Sequence, residues 1–127
     1  MKLGYIILYV PDVPAAVAFY ERAFGLKNRM MVENQYAEME TGATALAFVD
    51  ETFVAAFLAP FHRNRPGDAA AGVEVALVSD DVAAAFKAAV AAGAVAVLQP
   101  MQKPWGQTVS YVRDLNGCLV EICSPMT

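Results

Sequence analysis

Residues 4–10 form a short, continuous apolar run of strand type, and the pattern then switches to a helical period over residues 12–25. The same switch recurs later in the chain. Adding 69 to Tyr5, Leu8, Asp12, Val13 and Ala16 gives Glu74, Leu77, Asp81, Val82 and Ala85, so a strand followed by an amphipathic helix is present twice. In each copy an Asp stands where a helix N-cap is needed, Asp12 in one and Asp81 in the other, and a Gly follows the helix, Gly25 or Gly93. Val13, Ala16, Val17, Tyr20 and Phe24 form the apolar stripe of the first helix. Val82, Ala85, Phe86, Ala89 and Val90 form that of the second.

Three shorter strands follow each helix. In the first half they are expected at about 27–32, 35–41 and 44–50, separated by turns at Glu33-Asn34 and Thr41-Gly42. In the second half they fall at about 95–99, 107–113 and 118–124, with a hairpin turn at Asp114-Leu115-Asn116-Gly117. A stretch rich in Pro and polar residues, about 59–71, separates a first module of about 1–58 from a second of about 72–127. The predicted class is α+β: two tandem βαβββ modules, each a curved antiparallel sheet under one helix, forming a cup-shaped cavity. A ferredoxin-like duplication is the alternative, and the extra strand in each half speaks against it.

Composition narrows the function. A chain of 127 residues with 57% hydrophobic and 17% charged residues folds as one compact domain. Its net charge of −4 argues against a nucleic-acid partner. No apolar run is long enough to span a bilayer, and residues 1–5 lead straight into a strand pattern, so the expected location is cytoplasmic. Cys118 and Cys123 lie five apart and read as small core residues.

Strand periodicity assigns the faces. Ile6, Leu8 and Val10 suit the helix side, leaving Tyr5, Ile7 and Tyr9 on the other. By the same rule Glu74, Ala76 and Val78 share a face in the second module, as do Leu119, Glu121 and Cys123. Glu74 and Glu121 are therefore lone carboxylates among apolar neighbours on one face. Burial of a carboxylate is costly unless it is paired, protonated or bound to a cation. A ligand-contacting or metal-binding pair and a simply solvated pair are the two readings. A shared dry site would couple their titrations and raise one pKa. Tyr5, Tyr9, Tyr111 and Trp105 are further ligand-contact candidates, Trp105 because a loop indole suits stacking on a planar molecule. Glu38 and Glu40, alternating with Ala37 and Met39, read as a solvated face. His62 in the linker reads as a solvated loop residue; the alternative is that with Arg63 and Arg65 it forms a basic trio that would gate the cup or hold an anion.

Residues 8–26, Leu-Tyr-Val-Pro-Asp-Val-Pro-Ala-Ala-Val-Ala-Phe-Tyr-Glu-Arg-Ala-Phe-Gly-Leu, and residues 112–122, Val-Arg-Asp-Leu-Asn-Gly-Cys-Leu-Val-Glu-Ile, carry a likeness. They resemble the opening and closing signatures of the vicinal oxygen chelate superfamily, which includes glyoxalase I, the bleomycin-resistance proteins and extradiol dioxygenases. The resemblance implies paired βαβββ modules in a homodimer and a small-molecule ligand or substrate. Metal-dependent members use four strand positions. These fall on Tyr5, on Leu46 or its neighbours Ala45 and Ala47, on Glu74, and on Glu121. Only Glu121 retains the family's ligand, and Glu74 is a tolerable substitute. The resemblance thus implies a small-molecule binder in an acidic, aromatic-rimmed cup without the full metal set or another cofactor, holding at most a weakly bound divalent ion on Glu74 and Glu121. The alternative is a metal-dependent lyase, isomerase or dioxygenase of the glyoxalase I type with those two glutamates as its catalytic residues.

Overall fold

The fold was examined in a computed structural model, which describes residues 1–126; Thr127, the end of the expected second module, lies outside the described residues. The chain divides into two compact units, Met1–Arg63 and from Asn64 onward, with the break inside the expected linker. Each unit is one βαβββ module.

In the first module β1 (Tyr5–Val10) leads into α1 (Val13–Phe24), followed by β2 (Lys27–Val32), β3 (Tyr36–Glu40) and β4 (Ala45–Asp50). A one-turn helix, α2 (Glu51–Ala55), follows. The sheet order is β1-β4-β3-β2. The second module repeats the plan with β5 (Glu74–Val78), α3 (Val82–Ala91), β6 (Val95–Gln102), β7 (Thr108–Arg113) and β8 (Leu119–Cys123), in the order β5-β8-β7-β6.

The sheets are mixed, which corrects the antiparallel expectation. β1 pairs with β4 in parallel, as β5 does with β8, while the other contacts are antiparallel. The helix carries the chain across to the far edge, and an odd number of meandering strands then returns it. The last strand must therefore arrive beside the first in the same direction.

Local signals set these elements. The Asp12 carboxylate accepts from the Ala15 amide at 3.0 Å, and Asp81 accepts from Ala84 at 3.1 Å, so both expected N-caps form. Glu33 and Asn34 have φ of 50° and 57°, the paired left-handed residues of a two-residue hairpin turn. On α1, Val13, Ala16, Val17, Phe19, Tyr20 and Ala23 are buried. Tyr20 sits 4.9 Å from Phe48, ring to ring. Phe48 and Met39, both 0% exposed, contribute roughly 1.5–3 kcal/mol each by burial. On α3, Val82, Phe86 and Ala89 are buried, whereas Val90, placed on the stripe from periodicity, is exposed.

The helix α2 lay outside the sequence expectation. Asp50 caps it through the amides of Thr52 and Phe53, and Glu51 behind the cap is buried. Arg63 supplies its counter-charge at 3.1 Å and lies over the Phe61 ring, which in turn packs edge-on against Tyr9 at 4.8 Å. Arg63 is thus a structural counter-ion, not part of an anion-binding trio. His62 is exposed. Arg65 is anchored through its carbonyl to Arg113.

Candidate functional site

The strand registers decide which positions of the two modules correspond. Tyr5 pairs with Ala45 and Ile7 with Ala47; Glu74 pairs with Leu119 and Ala76 with Glu121. Tyr5 is therefore the counterpart of Glu74, and Ala47 is the counterpart of Glu121. On the third strands, Glu38 faces Ala47 and Tyr111 faces Glu121, so Glu38 and Tyr111 also correspond.

In the second module Glu74, Tyr111 and Glu121 come together on the sheet face away from α3. Tyr111 donates its hydroxyl to Glu121 Oε1 at 2.8 Å. Glu121 and Tyr111 are half-buried and Glu74 is exposed, so the group can be reached by solvent. Partial burial, followed by a hydrogen bond with Glu121 and repulsion from its charge, raises the pKa of Glu74. Burial alone would also raise Glu121. It is outweighed by hydrogen bonds from Glu74, Tyr111 and the Cys123 thiol, with a weaker contribution from Lys103, and the pKa is lowered. The two carboxyls split in opposite directions, Glu74 upward and Glu121 downward. Its hydrogen bond to Glu121, together with burial, pushes the Tyr111 phenol up to about 12. Burial, and then Glu121, pushes Cys123 to about 11, so this thiol is a donor and not a nucleophile.

The first module builds a different cluster at the matching place; it corrects the expectation of a solvated face for Glu38, while Glu40 is exposed as expected. Glu38 is buried, and its carboxylate accepts from the Tyr36 hydroxyl at 2.7 Å and from Arg29 Nε at 3.1 Å. Arg29 Nη2 also reaches the same carboxylate, and Nη1 lies 3.7 Å from Glu40. The bonds from Tyr36 and Arg29 hold Glu38 below its ordinary 4.5. Burial, with the bond to Glu38, raises Tyr36 to about 12. Tyr5, 54% exposed, lies close enough to influence both Arg29 and Tyr36.

A pH dependence follows from Glu38. Its folded pKa is lowered, so its stabilising contribution is present above the unfolded value and is lost as pH falls through the folded one. Thermal melts between about pH 6 and pH 3 should show an acid-side loss of stability that flattens in Glu38→Gln. An unchanged acid limb in that variant would contradict the assignment.

Tyr9 is half-buried against Phe61. Trp105 is 60% exposed on the turn between β6 and β7, with its indole N–H donated to Gln107 at 2.9 Å. Cys118 and Cys123 are free and buried, as their size suggested. An apolar groove lined by Phe86, Val90 and Pro100 is formed with α3, on the helix side of the module.

The chain matches the model of the Glyoxalase/Bleomycin resistance protein/Dioxygenase superfamily over residues 2–122. It belongs to that superfamily. Among solved structures, a glyoxalase-related enzyme from Fulvimarina pelagi superposes with a TM-score of 0.82 at 22% identity, covering 98% of this chain and 88% of that one. A lactoylglutathione lyase from Agrobacterium tumefaciens gives a TM-score of 0.71 at 24% identity, covering 97% of this chain and 92% of that one. TioX from Micromonospora gives 0.70 at 25% identity, covering 98% of both chains. No curated protein matches the sequence. Among the described residues, no helix is long and apolar enough to cross a membrane.

The divalent metal used by some members of the superfamily does not fit this side-chain set. The counterpart of Glu121 is Ala47, which has no donor, and the counterpart of Glu74 is Tyr5, a neutral phenol. Among the described residues no three His, Cys, Asp or Glu side chains gather as a metal cluster.

Proposed function

We propose that this superfamily member binds a small organic molecule on the helix-free face of its second module, with Glu121 and Glu74 as its polar contacts. The observation that carries the reading is the carboxyl pair itself, in reach of solvent and joined to the Tyr111 hydroxyl, with Glu74 raised and Glu121 lowered. Such a pair is costly to maintain on a sheet unless a ligand uses it. The loss of donors at Ala47 and Tyr5 favours binding without a metal. A second reading rests on the same split: a carboxyl of raised pKa beside one of lowered pKa is the arrangement used for general acid–base work on a substrate.

A thermal-shift screen of small aromatic amines, acids and amides tests the proposal. At least one of these classes should stabilise the wild-type protein and leave the Glu74→Gln/Glu121→Gln double variant unmoved. Equal shifts in both proteins would overturn it. Elemental analysis separates the two chemistries, since a stoichiometric divalent ion that disappears in Glu121→Ala would support a metal-dependent enzyme instead.

A further inference from the structure

The turn between β7 and β8 carries the chain's one Asn-Gly pair. Asn28 and Asn64 precede Arg, Asn34 precedes Gln, and Asn116 alone precedes Gly. An asparagine carboxamide is an electrophile within ring-closing reach of the next backbone nitrogen, and before a glycine no Cβ shields that nitrogen. The fold keeps the pair in place. A side chain at Gly117 would collide with the Arg113 guanidinium and the Arg65 carbonyl, so the position stays glycine. The same turn holds the reacting atoms still. The Gly117 amide donates to the Asp114 carbonyl at 3.1 Å, and Arg113 Nε donates to the Gly117 carbonyl at 2.8 Å. The Asn116 and Cys118 amides both donate to Asp114 Oδ1 at 2.9 Å. The Asp114 amide closes the loop on the Cys118 carbonyl at 2.9 Å. Asn116 itself is only 7% exposed, so solvent base has little access to it.

We propose that Asn116 is a latent self-modification site, released by opening of the β7–β8 turn to deamidate through the backbone nitrogen of Gly117. The step balances with water as its sole co-reactant. The Gly117 nitrogen gives up its proton and bonds to Cγ of Asn116. The Cγ–NH2 bond breaks, ammonia leaves with that proton, and a succinimide ring remains. Water then opens the ring at either carbonyl, leaving aspartate or isoaspartate at position 116. While the turn is closed the first move is blocked, because the Gly117 N–H is held by the Asp114 carbonyl and rotation at Asn116 would break the surrounding bonds. The reaction therefore runs through the open turn, at a rate set by how often it opens. The product does not close it again. Aspartate sets a new charge beside Asp114, itself a carboxylate 3% exposed whose Oδ1 holds the residue 116 amide. Isoaspartate adds a backbone carbon between Asp114 and Leu119, which upsets the pairing of Arg113 with Leu119. Either product loosens the start of β8.

Ageing the wild-type chain in mildly alkaline buffer, folded and in denaturing guanidinium chloride, tests this by peptide mass mapping. Trypsin cleaves after Arg113 and releases a peptide in which Asn116 is the one side-chain amide, so an amide-to-acid mass gain reports this site alone. In the unfolded chain Asn116 should convert ahead of Asn28, Asn34 and Asn64. In the folded protein it should convert at least about tenfold more slowly than in the unfolded chain. Asn34, exposed in its hairpin turn, should change far less between the two conditions. This comparison needs no variant, so a poorly folding mutant does not blunt it. Asn116→Asp, made directly, should unfold at a lower denaturant concentration than wild type. Equal rates in the folded and unfolded chain would show that the turn does not gate the reaction. Conversion of Asn116 no faster than the other asparagines when unfolded would remove the reactive site itself. An Asn116→Asp protein as stable as wild type would overturn the claim that this product cannot restore the turn.

Discussion

Replacing Gly117 with Ala is expected to cost roughly 2–5 kcal/mol of stability. Gly117 closes the turn between β7 and β8 with φ of 86°, a conformation that strains any residue with a Cβ. The turn is held by Asp114, whose Oδ1 accepts from the amides of Asn116 and Cys118 at 2.9 Å each. There is also no room for a methyl group. A Cβ at Gly117 would lie 2.5 Å from the Arg113 guanidinium and 2.6 Å from the Arg65 carbonyl oxygen. The guanidinium cannot easily move aside, because it donates to the Gly117 carbonyl at 2.8 Å and to the Asp68 carbonyl at 2.6 Å. Strain of about 1–2 kcal/mol and displacement of about 1–3 kcal/mol give the total. Urea denaturation of wild type and Gly117→Ala measures it, and a loss below about 1 kcal/mol would show that the turn relaxes freely. The motif matters to function because β8 begins at Leu119, two residues past the glycine, and carries Glu121.

The second large effect concerns the carboxyl pair. Glu121→Gln removes the charge that helps to raise Glu74, so the Glu74 pKa should fall back toward 4.5. Tyr111→Phe should act in the opposite direction on its neighbour. Without the hydroxyl at 2.8 Å, the Glu121 pKa should rise, and Glu74, which Tyr111 also lowers, should rise with it. The signs on stability differ as well. Glu121, with a lowered folded pKa, stabilises above its unfolded value, and that contribution is lost as pH falls through the folded one. Glu74, with a raised folded pKa, stabilises below its unfolded value, and its contribution is lost as pH rises through the folded one. The pair thus has a window of partial cancellation that either variant removes.

Much of this was readable before any coordinates. The strand–helix repeat, both aspartate caps, the turn at Glu33-Asn34 and the shared face of Glu74 and Glu121 all follow from period and turn chemistry. What stayed hidden has local causes. Parallel closure of β1 on β4 depends on where the chain lands after the helix, which no single segment encodes. The Arg29–Glu38 contact was concealed by a bulge. Continuing the regular pairing of Val32 with Tyr36 and Met30 with Glu38 would set Arg29 against Met39. The register shift between Asn28 and Met30 leaves Arg29 unpaired in the ladder, and its side chain meets Glu38 and Glu40. Glu38 then becomes a buried, ion-paired carboxylate, while Glu40 stays on the wet side at 3.7 Å from the same arginine. Glu51 was equally invisible, since its counter-charge lies twelve positions away on Arg63.

The account turns on Glu74 and Glu121 acting as one titrating unit, and site-resolved carbon NMR of the glutamate carboxyls from about pH 3 to pH 8 measures that directly. Two coupled transitions are predicted, Glu121 below and Glu74 above the ordinary value of 4.5, merging toward it when the partner is changed to Gln. Two independent transitions at the ordinary value, indifferent to the partner's substitution, would show that the carboxyls do not share a proton, and the proposed site would go with them.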